Sequence, residues 1–128
     1  MEIQRHGIIL NVEHFDECVA FYRDLFGLPV LFSKIEGDFK LTCLEYGATY
    51  LMIETDGVAN TVGKSISENA TKLRFNVADI QSALHAVRDY GIDAQIVENA
   101  WGVVINITDP DGNRVGIRDE QGFKQQIF

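Results

Sequence analysis

The sequence predicts an α+β fold made of two βαβββ modules, forming a curved, cleft-bearing mixed sheet rich in antiparallel pairs. Three observations carry this reading. Asn11-Val12, Phe15, Val19 and Arg23-Asp24 before Gly27 return sixty-five residues later as Asn76-Val77, Ile80, Leu84 and Arg88-Asp89 before Gly91, the mark of an internal duplication. Each copy passes from a β-branched apolar stretch into a helical period and then into short strand-like segments. At 128 residues the chain has the length of one domain, and each half alone is too small to bury a good core. The single domain divides into a first module at about 5–56, a linker at about 57–69, a second module at about 70–119 and a tail at 120–128.

The first strand runs from Gly7 to Val12. A helix follows, with Phe15, Cys18, Val19, Tyr22 and Phe26 spaced by threes and fours along one face, and Gly27 stops it. Leu28 to Ile35, Lys40 to Tyr46 and Tyr50 to Glu54 read as antiparallel strands, with Glu36-Gly37-Asp38 and Gly47-Ala48 as turns. Residues 55–70 are rich in Gly, Ser, Thr and Asn, have no clear period, and read as the connection between modules. The second copy begins with a strand from Thr71 to Val77 and a helix from Ile80 to Tyr90, which Asp79 is placed to cap. Strands near Ala94 to Glu98, Val103 to Thr108 and Arg114 to Asp119 complete it. Asp109-Pro110-Asp111-Gly112 is a strong turn signal between the last two. The tail, with Phe123, Ile127 and Phe128 among polar residues, reads either as an interface element or as a loose end.

Composition narrows the function. A hydrophobic fraction of 46% with 23% charged residues belongs to a folded protein, and no apolar run approaches the ~18 residues of a membrane span. A formal net charge of −8 weighs against a nucleic-acid partner. The N-terminus has no secretion signal, so a cytoplasmic location is expected. Cys18 and Cys43, with no CxxC pattern, read as small buried hydrophobes. No GxGxxG, P-loop, GxSxG or Cys-His arrangement is present, which leaves nucleotide and covalent-nucleophile chemistry without support.

Alternation splits every strand into two faces. Ile8, Leu10, Val12, Leu51, Ile53, Leu73, Phe75, Val77, Val115 and Ile117 form an apolar set that belongs under the helices. The opposite set is Asn11, Tyr50, Met52, Glu54, Lys72, Arg74, Asn76, Arg114 and Arg118, and these are the expected ligand-binding residues of the cleft. Four cations face one carboxylate in a chain that is acidic as a whole. Clustered cations repel one another unless an anion joins them. The pattern therefore points to a small polar, anionic ligand, the competing reading being satisfaction by Glu54, by Glu45 or Glu98 on neighbouring strands, or by the acidic surface of a partner chain. Trp101 either stacks on a ligand or plugs the sheet end.

The segment from Asn11 to Val30, with Phe21-Tyr22 ahead of Leu25-Phe26-Gly27, together with Trp101-Gly102 and Asp109-Pro110-Asp111-Gly112-Asn113, resembles the vicinal oxygen chelate superfamily. That group holds glyoxalase I, bleomycin-resistance proteins, fosfomycin-resistance enzymes and extradiol dioxygenases. The resemblance covers nearly the whole chain and implies a glyoxalase/bleomycin resistance-like fold, commonly a homodimer. In metal-using members it implies four inward ligands, which fall here on Gly7, Glu54, Lys72 and Gly116. Only Glu54 can bind a metal, and an ammonium in the site opposes one. His6 is one residue out of register and would need a bulge to serve, and neither His14 nor His85 looks catalytic. Glu54 and Lys72 could instead pair, the ammonium partly replacing the ion. The expectation is a binding protein similar to bleomycin-resistance proteins, with no metal or other cofactor, no assigned catalytic residue and a small-molecule partner. The alternative is a metal-dependent enzyme similar to glyoxalase I (lactoylglutathione lyase) or an extradiol dioxygenase, with Glu54 as ligand or general base and shifted ligands such as His6.

Overall fold

The duplication read from the sequence is present in the topology. In the computed structural model, which describes residues 1–128, the strands are β1 (Gly7–Asn11), β2 (Val30–Glu36), β3 (Phe39–Tyr46), β4 (Thr49–Glu54), β5 (Leu73–Val77), β6 (Ile96–Asn99), β7 (Gly102–Thr108) and β8 (Arg114–Asp119). They make two four-stranded sheets of identical plan, β1-β4-β3-β2 and β5-β8-β7-β6. In each, the first strand pairs in parallel with the fourth and the other pairs are antiparallel. The chain divides into two compact units, Met1–Thr61 and Val62–Phe128. No helix is long and apolar enough to cross a membrane.

In the first unit, α1 (Phe15–Ala20) opens with Asp16 and Glu17 in its first turn, where acidic groups suit the helix dipole. The sequence predicts one continuous helix to Phe26, but the chain widens into a π-helical turn at Phe21–Leu25. Such turns are rare and occur mostly as single widened turns within α-helices. Here it places consecutive rings in the core, Phe21 and Tyr22 meeting edge to face at 4.9 Å. Gly27 then takes φ +67° and ends the helix. Leu51 and Ile53 on β4 and Val12 after β1 are fully buried, as alternation requires. Strand β2 begins at Val30, two residues later than predicted, and bulges at Leu31, so that Val30 pairs with Leu44 but Phe32 with Cys43.

In the second unit, Leu73, Phe75, Val115, Ile117, Ile105 and Ile107 form the buried face, and α2 (Ile80–Asp89) adds Leu84 and Val87. Strand β5 starts at Leu73 and not at Thr71, which puts Lys72 just ahead of the ladder. The tail is no loose end: Glu120–Ile127 forms α3, with Asp119 as its N-cap. This helix packs on β5, β7 and β8. Its partners Asn76 and Arg118 place it on the polar face, opposite Phe75 and Ile117.

The Asp79 carboxylate accepts from the N–H groups of Gln81 and Ser82 at 3.0 and 3.2 Å and from the Ser82 hydroxyl at 2.9 Å. The Ser82 side chain, followed by its N–H, holds this carboxyl below its usual range, with burial opposing. A depressed folded-state value means stabilisation that is present above the unfolded value of 3.8 and lost as pH falls through the folded one. Asp79→Ala is therefore expected to lower Tm at pH 7 by a few degrees. Melts repeated down to about pH 2 should show the gap to wild type closing; a gap independent of pH would contradict the cap assignment.

Candidate functional site

Register brings the predicted residues of the first unit into rows. Gly7 pairs with Tyr50 and Tyr50 with Glu45; Ile9 with Met52, Met52 with Cys43 and Cys43 with Phe32; Asn11 with Glu54 and Glu54 with Leu41. Tyr50 and Met52 share a pocket of 260 Å³ with Arg5, Leu31, Phe32 and Cys43. Glu54 and Asn11 lie on another row, and the Asn11 amide is spent on the Thr55 carbonyl at 2.9 Å. Sequence reasoning missed four of the six pocket residues. Carrying parity from β4 through β3 to β2 would have found Cys43 and Phe32; Leu31 enters through the bulge and Arg5 precedes the first strand.

The second unit gathers cations. Lys72 and Arg74 flank Gly116, at which an added Cβ would lie 3.1 Å from Lys72 Cε and 2.9 Å from Arg74 Nε. Lys72 Nζ donates to Asn106 Oδ1 at 2.9 Å. Burial first, then the charges of Arg74 and Arg114, push the Lys72 ammonium below its usual range, as a cluster of like charges must. Arg114 Nη2 donates to the Asn69 carbonyl at 3.3 Å. Its Nε is buried without a hydrogen-bond partner.

Arg118 sits in a different setting. It is 5% exposed, and donates to the Trp101 carbonyl at 2.9 Å and Gln126 Oε1 at 3.0 Å. Its guanidinium lies over the Trp101 ring at 4.8 Å and the Phe123 ring at 5.3 Å. The predicted ligand residue is thus enclosed by α3, an element alternation alone could not reveal. Asn76 is likewise engaged, donating to Glu120 Oε1 at 3.0 Å. Trp101 is partly exposed, and Arg74 lies 5.7 Å from its ring centre.

A divalent ion does not fit these residues. Of the four positions implied by the resemblance, Glu54 alone offers a donor, and no group of three or more His, Cys, Asp or Glu side chains is placed to hold a metal. The space is also occupied. A Cβ at residue 7 would overlap the Tyr50 ring, and the room beside Gly116 is filled by Lys72 and Arg74.

Comparison with known proteins agrees with this architecture. A family model described as Glyoxalase-like domain matches residues 6–120. No curated protein sequence matches. Among solved structures, lactoylglutathione lyase from Agrobacterium tumefaciens is 20% identical, with a TM-score of 0.71 over 94% of this chain and 96% of its own. The trypanothione-dependent glyoxalase I of Leishmania major is 20% identical, with a TM-score of 0.75 over 98% of this chain and 93% of its own. The fosfomycin resistance protein FosX of Listeria monocytogenes, solved with Mn(II) and sulfate, is 13% identical, with a TM-score of 0.74 over the full length of both. At such identities the likeness speaks for the fold alone. The family match spans nearly the whole chain, and the protein belongs to the glyoxalase-like domain family, within the vicinal oxygen chelate superfamily.

Proposed function

We propose that this chain is a binding member of its family, which holds a small anionic molecule on the second unit without a metal ion. The observation that carries the reading is the cluster of Lys72 and Arg74 packed against Gly116, with burial and then the charges of Arg74 and Arg114 pushing the Lys72 ammonium below its usual range. Lys72 and Arg114 form no salt bridge with a carboxylate. A bound anion would relieve the repulsion, and two guanidinium groups suit carboxylate, sulfate or phosphate through paired hydrogen bonds. Glu54, the one candidate general base, lies in the other unit and has no assigned role.

Trp101 reports on this site, because it is the chain's one tryptophan and Arg74 lies beside it. Titration with sulfate, phosphate and succinate should change its fluorescence saturably and raise Tm. Lys72→Met separates ligand binding from structure. An ammonium with a depressed folded-state value opposes folding at pH 7, and stability rises as pH rises through that value toward the unfolded 10.5. Its hydrogen-bond acceptor Asn106 is exposed and loses nothing to burial. The variant should keep or gain Tm while binding sulfate about tenfold more weakly. No response of Trp101 or Tm at millimolar anion would count against the proposal, and stoichiometric, tightly held metal in the purified protein would favour the enzyme alternative.

A further inference from the structure

We propose that the open face of β2, β3 and β4 in the first unit is a second ligand site, which takes the ring of a small aromatic carboxylate and sets Arg5 against its carboxylate. The inference stands on the first unit alone and does not depend on the anion reading of the second.

Pairing across β2, β3, β4 and β1 makes one apolar row, Phe32, Cys43, Met52 and Ile9. Such rows on a sheet face are covered by helices or left as binding surface. Its two ends are open, Phe32 at 50% and Ile9 at 57% exposed, while Met52 is half-buried and Cys43 is buried at the floor. The bulge adds Leu31 at the rim, 48% exposed. Leu31, Phe32, Cys43 and Met52, with the Tyr50 ring and Arg5, line an open pocket of 260 Å³, less than the ~300 Å³ at which drug-sized pockets begin. That volume suits one ring with one substituent. Two aromatic side chains and a thioether favour a flat, polarisable occupant.

Charge decides the substituent. Cys43 lines the pocket, but burial raises its thiol above the ordinary range, only partly offset by the Arg5 charge, so it is neutral at pH 7. Arg5 is thus the single charge among the lining residues. It also borders a smaller pocket beside Glu45 but is not salt-bridged to it. A guanidinium without an anionic partner at the mouth of an apolar pocket selects a carboxylate over a neutral analogue.

The chain has two methionines, Met1, fully exposed and ahead of β1, and Met52 in the pocket, so methyl-labelled methionine gives two NMR signals, one reporting the site. Benzoate should shift Met52 saturably, with Met1 unmoved and the Met52 shift unchanged in Lys72→Met, which alters only the second unit's cations. Benzyl alcohol should bind about tenfold more weakly, and Arg5→Gln should bring benzoate to the same level. Phe32→Ala, at an exposed position that folding tolerates, should weaken both ligands about fivefold. Acetate should leave Met52 unchanged. The proposal is overturned if benzoate does not move Met52 at about 10 mM, or if Arg5→Gln binds benzoate as wild type does. It is equally overturned if benzoate acts on Trp101 alone, which assigns it to the second unit's cations. Movement of the Met52 signal with protein concentration and no ligand, matched by dimer formation in sedimentation, would make this face a contact between copies.

Discussion

Gly57→Ala is expected to destabilise the protein by about 2–4 kcal/mol, one of the two largest effects of any substitution considered for this chain. Space, and not backbone conformation, is the reason. A Cβ at residue 57 would overlap the Asn11 carbonyl and crowd the Val12 nitrogen, which are main-chain atoms of the first strand's end and cannot turn aside as a side chain could. Three hydrogen bonds hold the two segments at this approach: Gly57 N to the Val12 carbonyl at 3.2 Å, Val12 N to the Glu54 carbonyl at 2.7 Å, and Asn11 Nδ2 to the Thr55 carbonyl at 2.9 Å. Relieving the overlap must stretch at least one. Val12 is fully buried, so its freed N–H cannot turn to water. Because the same crossing ends the β1–β4 ladder that carries Met52 and Glu54, benzoate binding should weaken along with stability. Urea unfolding measures the loss, and a Gly57→Ala midpoint matching wild type would show that the strands separate here at no cost.

How far such features can be read in advance depends on the range of the interaction. Alternation is local, and it sorted Leu51, Ile53, Leu73, Phe75, Val115 and Ile117 to the buried face; the Asp79 cap is equally local. The pocket beside Tyr50 and Met52 was half legible, because Phe32 and Cys43 enter through pairing between strands and Leu31 through a bulge without a sequence signature. The missed helix α3 has a clear cause. Gly122 in its first turn argues against a helix by propensity, yet it is buried against the Asp119 cap, where a Cβ would lie 2.6 Å from Asp119 Oδ2, and its N–H donates to that carboxylate at 2.8 Å. Glycine suits the close approach there, since a larger residue would have to push the capping Asp119 carboxylate aside. With α3 unseen, Arg118 reads as an open cation; with α3 in place its charge is spent on Trp101, Phe123 and Gln126.

Asp109→Ala should be the other severe substitution, by about 3–5 kcal/mol. The turn signal Asp-Pro-Asp-Gly-Asn predicts a bend between strands and, ordinarily, an exposed one. Here Asp109, Asp111 and Asn113 are 4%, 0% and 2% exposed. The Asp109 carboxylate accepts from the N–H groups of Asp111 and Asn113 and from Asn113 Nδ2, each at 2.9 Å. Alanine would strand two buried N–H groups and leave the Asn113 side chain unanchored. The damage should spread, because Asn113 Oδ1 accepts from Lys64 Nζ at 2.9 Å and Asn69 Nδ2 at 2.8 Å. That network fixes the segment before β5, whose Asn69 carbonyl steadies Arg114 at 3.3 Å. Sulfate affinity should therefore fall in Asp109→Ala although the residue is not among the clustered cations. Asp109→Asn is the graded control: its oxygen can still serve both N–H groups, while its NH₂ would face the Asn113 donor. It should lose about 1–2 kcal/mol, between wild type and alanine. Should Asp109→Ala prove no more harmful than Asp79→Ala at an exposed helix cap, the buried turn would have no organising role, and the steadying of Arg114 through it would fail with it.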